Sequence, residues 1–368
     1  MSVPLPNEPR PLRTDLRTLL SILLTALASA AGLADESKPT LTSAQLDYYL
    51  VQSFHSPTAR QRLPLNHIGI QGQQGTDGYV VSAVLEGYPA HSVGLTRGDV
   101  ILSSDGETFH EVHSFNPSPQ QMAIHQPRKQ SFALKVRRGD QILSMKVMPV
   151  FENLFDSYRS ASLSSLQQFS AGNKVIGYVR FWALSRATND LFAYKDLLQS
   201  LAHTDGIVLD LRNSFGFVDQ AHFRLFQSGA PQWQLFPTNN SLYGDQKYSA
   251  AMHIKPYRRP IVILINESTR SGAELLAYEL GKSDRIETLG NKTAGYLGDF
   301  LPDSSIQQQV TDATITLYYH PAIQTRVDGL RFEGQGVQPE LEINYPTGES
   351  RRDDPQFETA LTVLLGII

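Results

Sequence analysis

Residues 261–280 read IVILINESTRSGAELLAYEL. The first five, Ile261 to Ile265, are all β-branched or leucine, so neither face of a strand built from them is polar. That pattern predicts a strand buried on both sides. A polar turn, Asn266 to Arg270, follows, and the apolar spacing beyond Ser271 predicts a helix starting at or near it. A hydroxyl at a helix N-terminus lies beside unpaired backbone N–H groups and the positive end of the helix dipole. Such N–H groups can hold the oxyanion of a tetrahedral intermediate. They can equally be satisfied by a serine that only caps the helix. From spacing alone the cap is the better reading of Ser271.

The same alternation extends on both sides. VIGYVRFWAL, GIVLDLR, RIETLG and DATITLYY read as strands. TNDLFAYKDLLQSLAHT, QAHFRLFQSG and PQFETALTVLLGI read as helices. Short apolar strands alternating with helices predict an α/β sheet covered on both faces. Upstream, residues 66–149 change character. NHIGIQGQ, DGYVVSAVLEG and GDVILSSDG read as strands, YPAHSVGL as a helical turn and SPQQMAIHQ as a helix. SFALKVRRGDQILSMKVMP reads as a hairpin around Arg138-Gly139-Asp140. Before this β-rich unit, residues 42–53 predict a short amphipathic helix capped by Thr42 or Ser43, leading into a polar loop, SFHSPTARQRLP.

The chain has 368 residues, enough for two or three domains, with 41% hydrophobic and 18% charged residues. A net charge of −4 and the lack of a basic cluster give no electrostatic reason for nucleic acid or anionic membrane as partner. There are no cysteines, which excludes disulfides, thiol catalysis and thiolate metal sites. At the N-terminus, Arg10, Arg13 and Arg17 precede the apolar run Leu19 to Ala34, which contains small-residue sites at Ala28-Ser29-Ala30 and Gly32-Leu33-Ala34. This is the layout of a secretory signal peptide, with an uncleaved anchor as the alternative. The expected organisation is a signal peptide over 1–34, a helical segment over 35–65, the β-rich domain over 66–149 and the α/β core over 150–368. The expected location is periplasmic or secreted.

The β-rich unit resembles a PDZ domain. His67-Ile68-Gly69-Ile70, Gly87-Tyr88-Pro89-Ala90, Val93-Gly94-Leu95, Gly98-Asp99-Val100-Ile101 and Asp105-Gly106 carry the resemblance. It implies that Ile68, Gly69 and Ile70 receive the C-terminal end of a protein or peptide, by a glycine loop for the carboxylate and strand addition for the chain. A β-rich domain with no ligand is the plainer alternative.

The whole order is PDZ, GYVRF, GIVLDLRN, strand–T-x-S-x-x-E–helix, G-x-x-T-x-G and EGQGVQPELEI. It resembles the tricorn-core serine peptidases and, within them, the carboxyl-terminal-processing proteases. The resemblance implies a tricorn-core (crotonase-like) α/β peptidase with an inserted PDZ domain, and Ser271, three residues before Glu274, as nucleophile. Ser268 is the competing hydroxyl. Members of the Ser–Lys type carry lysine where this sequence has Tyr296, and Lys292 stands at a different place in the motif. The resemblance to histidine-dependent tricorn-type members implies His55 as base, with Ser53 beside it, and Glu333 as its orienter; His320 is the reserve base. A histidine suits the task because it titrates near neutrality. For the oxyanion it implies the N–H of Gly272 and that of Gly216 or Phe217, where the family has two glycines. No metal or cofactor is implied. An active endopeptidase and a degenerate peptide-binding scaffold both remain open. An esterase of the α/β-hydrolase type is disfavoured, since the motif is not G-x-S-x-G.

Overall fold

The computed structural model describes residues 41–42, 45–56, 58–116, 125–185, 187–218, 220–227, 255–296, 306–311, 314–319, 326–327, 330–331, 334–347 and 353–368. The expected signal peptide, Glu333, His320 and most of the helix expected over 118–126 lie outside these residues.

Helix α1 spans Leu46–His55. It starts later than expected, and Thr42 belongs to a short strand, Leu41–Thr42. Its cap is tertiary: the Leu46 N–H donates to Glu111 Oε1 at 2.7 Å. The helix also runs two residues beyond Ser53, so His55 is its last residue rather than part of the loop. Strand β1 (Leu65–His67) leads into the PDZ-like unit, and β7 (Val150–Glu152) leads out. The two pair antiparallel, Leu65 opposite Glu152 and His67 opposite Val150. Entry and exit therefore lie side by side, which is what an inserted domain needs. Between them β2 (Ile70–Gln74), β3 (Tyr79–Val84), β4 (Val100–Ser104), β5 (Phe132–Arg138) and β6 (Gln141–Val147) form one antiparallel sheet in chain order. Ile68, Ile70, Tyr79, Val81, Ile101, Leu134 and Val136 build its core.

Helix α2 (Leu154–Ser164) follows, capped by Asn153, whose side chain accepts from the Asp156 N–H. The core sheet contains β8 (Gln167–Ala171), β9 (Lys174–Arg180), β11 (Gly206–Asp210), β13 (Ile261–Ile265), β14 (Ile286–Gly290) and β15 (Leu341–Glu342) in that order. A short parallel pair, β10 (Ala183–Leu184) and β12 (Phe215–Gly216), stands apart from it. β8 is antiparallel to β9 and every other pairing is parallel. Both β11 and β13 are buried at every position. Ile207, Leu209, Ile261, Ile263 and Ile265 pack on one face with helices α3 (Thr188–Ser200) and α4 (Gly272–Leu280). Val208, Val262 and Leu264 pack on the other with helix α5 (Pro355–Ile367). Burying one such aliphatic side chain contributes roughly 1.5–3 kcal/mol. These two strands therefore form a rigid base for the turns at their ends.

Candidate active site

The turn after β13 is held by side chains from the turn after β11. Asn266 Oδ1 accepts from the Asn213 N–H at 2.9 Å, and Asn266 Nδ2 donates to Asn213 Oδ1 at 3.0 Å. Thr269 Oγ1 donates to the Leu211 carbonyl at 2.8 Å, and the Arg270 N–H donates to the Ser214 carbonyl at 2.9 Å. Ser271 then sits at φ +58°, ψ −130°, a conformation that non-glycine residues rarely adopt. Strain of this kind costs of order 1–3 kcal/mol and persists only where the surroundings impose it.

The surroundings here are explicit. The Ser271 N–H donates to the Tyr296 carbonyl at 2.9 Å and to Glu274 Oε2 at 3.0 Å. The Ser271 hydroxyl donates to the same Tyr296 carbonyl at 3.1 Å. Ser271 is 1% exposed, so in this conformation its oxygen is closed to a polypeptide. Glu274 is fully buried, and burial pushes its carboxyl above the ordinary range against the opposing pull of its donors.

Gly272 follows at the first position of α4. A Cβ added there would meet the Gly216 carbonyl oxygen at 2.3 Å and the Val218 nitrogen at 2.7 Å. The 216–218 backbone thus lies directly on the start of the helix. Gly216 has φ +111°, and a Cβ there would stand 2.0 Å from the Leu184 oxygen, so glycine is required. The Phe217 N–H donates to the Leu184 carbonyl at 2.8 Å and is committed to that contact. The next amide, Val218 N–H, and the Gly272 N–H have no acceptor among the described residues. Sequence reasoning did not name Val218, because only the backbone path decides which amide after Gly216 faces the helix.

His55 ends α1, and its neighbour Phe54 packs its ring 4.7 Å from the Phe215 ring, beside Gly216. At the other end of α1, Asp47 pairs with Arg270, immediately before Ser271. Ser53 is fully buried and its hydroxyl has no hydrogen-bond partner among the described residues. Ser268 is exposed in the turn, where its N–H donates to Asn266 Oδ1 at 3.2 Å. Lys292 is exposed.

In the β-rich unit Ile68 and Ile70 are buried in its core, and Gly69 takes φ +77° where a Cβ would meet Tyr88 Cβ at 2.4 Å. β2 is the end strand of its sheet among the described residues. Its Gln71 side chain donates to the Tyr158 hydroxyl at 2.7 Å.

Residues 66–148 match the PDZ domain family model, and residues 175–343 match the model of peptidase family S41. The chain therefore contains a peptidase S41 domain and a PDZ domain. A carboxyl-terminal-processing protease of Synechocystis sp. is 26% identical over 220 residues, 58% of this chain and 48% of the relative. One of Picosynechococcus sp. is 25% identical over 311 residues, 82% and 70% of the two chains. The chain thus spans about half the length of the first relative. A solved Bacteroides fragilis structure, described as an S41 protease, has TM-score 0.52 and 18% identity over 98% of this chain and 93% of that one, which shows the shared α/β fold. No helix among the described residues is long and apolar enough to cross a membrane, and no group of three His, Asp or Glu among them is arranged to hold a metal ion.

Proposed function

We propose that the chain is a serine endopeptidase of the carboxyl-terminal-processing kind, acting on exported proteins or peptides whose C-termini the PDZ domain receives at Ile68, Gly69 and Ile70. The observation that carries this reading is Ser271: a strained serine at a strand-to-helix turn, beside the Gly272 and Val218 amides, which have no acceptor among the described residues. In the proposed reaction Ser271 Oγ attacks the scissile carbonyl and His55 takes its proton, oriented by Glu333. The Gly272 N–H and, in place of Phe217, the Val218 N–H bind the oxyanion. Gly216 supplies the close approach that brings them together. Export is proposed through the arginine-flanked apolar run of residues 19–34.

A degenerate, peptide-binding scaffold is the second reading. It is favoured by the Ser271 hydroxyl donating to a backbone carbonyl instead of a base, at the segment where Tyr296 replaces lysine. A fluorophosphonate probe separates the two. The native protein should be labelled, Ser271→Ala should not be, and His55→Ala should label at least 100-fold more slowly. An unlabelled native protein supports the scaffold.

A further inference from the structure

The carboxylate of Glu274 touches two segments that the sequence keeps apart. Oε2 accepts from the Ser271 N–H at 3.0 Å and from the Tyr296 N–H at 2.9 Å. Oε1 accepts from the Thr293 hydroxyl at 2.6 Å and from the Gly295 N–H at 2.6 Å. All four partners donate, and none accepts in these contacts. Only an ionised carboxylate, which offers acceptors on both oxygens and no hydrogen, fits that shell. The Tyr296 carbonyl receives both the N–H and the hydroxyl of Ser271. Ser271 and the 293–296 segment are thus one hydrogen-bonded unit with Glu274 at its centre.

We infer that Glu274 is a positioning residue for Ser271: it fixes the serine's left-handed backbone and sets the Tyr296 carbonyl as the hydroxyl's resting acceptor. This rests on the reading of Ser271 as nucleophile, and it assigns to Glu274 no contact with substrate. The hydroxyl can turn from the Tyr296 carbonyl towards a base only while the backbone beneath it stays fixed. If the carboxylate is lost, the amide of Ser271 keeps one acceptor of two and the 293–296 segment loses its three ties to α4.

Glu274→Gln is the sharpest test, because the shape is kept while an NH2 group replaces one oxygen and confronts two donors. In the full chain, fluorophosphonate labelling of Ser271 should fall at least 100-fold. In peptide hydrolysis, kcat should fall far more than KM changes. Hydrogen exchange should quicken in residues 268–274 and 293–296 and remain native in β2 to β6. A folded Glu274→Gln protein that labels within threefold of native, with native exchange in both segments, overturns the inference. Should that variant not fold, Thr293 provides the second test. Thr293→Val removes the hydroxyl that bonds Glu274 and should slow labelling about tenfold, while Thr293→Ser keeps it and should restore the rate. Native-like labelling of Thr293→Val would count against the role. Labelling that survives Ser271→Ala, or is absent from the native protein, defeats the peptidase reading instead; the exchange measurement on Glu274→Gln then still decides whether the carboxylate holds the two segments together.

Discussion

At the scale of single residues, the site depends on where a side chain is missing. Gly272 lets the first turn of α4 lie against the backbone of 216–218, and backbone cannot yield as a flexible side chain can. Gly272→Ala would place a Cβ 2.3 Å from the Gly216 oxygen. The expected cost is about 1–3 kcal/mol of stability from overpacking. The separation of the Val218 and Gly272 amides would also grow, so probe labelling should drop by roughly 10²–10³, the loss associated with one oxyanion donor. Gly366, in α5, has open space around it, and Gly366→Ala should leave labelling unchanged. Thermal unfolding and labelling rates of the two variants, measured together, check this. Equal labelling of Gly272→Ala and native protein would remove the 216–218 segment from the proposed oxyanion site.

At the scale of elements, the paired strands β1 and β7 carry a buried polar chain. His67 Nε2 lies 3.0 Å from Ser157 Oγ, which donates to Glu152 Oε2 at 2.7 Å, and the Tyr88 hydroxyl donates to the same carboxylate oxygen at 2.6 Å. Burial pulls the His67 imidazole from 6.5 down to about 3. The folded protein therefore keeps this ring neutral while the unfolded chain takes up a proton below 6.5. Stability from this group is complete above that pH and falls by about 1.4 kcal/mol per pH unit as the solution is acidified towards 3. His67→Gln removes the titrating group. Between pH 7 and pH 5 its unfolding free energy should fall by roughly 2 kcal/mol less than that of the native protein, as urea denaturation would register. Parallel slopes for the two proteins would contradict it. The central strands of the core sheet were legible in the sequence because their burial is written in local apolar runs, as in Ile261 to Ile265, whereas the edge strands β8 and β15, partly exposed, were not. The cap of α1 was not, because Glu111 lies 65 residues from Leu46 and no local pattern signals it. α2 was missed for a related reason: in ENLFDSYRSASLS the buried face includes serines, Ser157 and Ser162, so no apolar run marks it. Ser271 and Glu274 were visible as a motif, whereas the tie from Glu274 to Thr293, Gly295 and Tyr296 exists only once the chain has folded.

At the scale of the whole described unit, the PDZ domain is fastened to the S41 core at points that bear on the serine turn. Ser82 lies 3.4 Å from the Asn213 side chain, and Asn213 holds Asn266 at the start of the Ser271 turn. Glu86 accepts from the Trp182 indole N–H and faces Arg180 at 3.9 Å. Glu111 caps α1, whose Asp47 grips Arg270. Arg97 is the broadest of these fasteners. It donates to the Ser82 carbonyl at 2.9 Å and to the Tyr345 carbonyl at 2.6 Å, and its guanidinium lies 4.6 Å from the Tyr345 ring centroid. One arginine thus joins a PDZ strand to the segment after β15. Arg97→Ala should remove the charge-assisted hydrogen bond and the stacking to Tyr345 that cross to the core, together with the bond to Ser82 inside the PDZ unit; the lost Tyr345 contacts should lower the free energy of PDZ release by about 2 kcal/mol. Arg97→Lys should restore little of it, because an ammonium cannot stack and fork to two carbonyls at once. Exchange of amides in residues 343–346 and 211–214 should accelerate about 30-fold in both variants if release is the exchange-competent event. The interior of the PDZ sheet, whose core does not involve Arg97, should exchange as in the native protein. Acceleration spread evenly through the PDZ sheet would mean that Arg97 stabilises the domain itself, and unchanged exchange at 211–214 would mean that the Ser271 turn is insulated from PDZ docking.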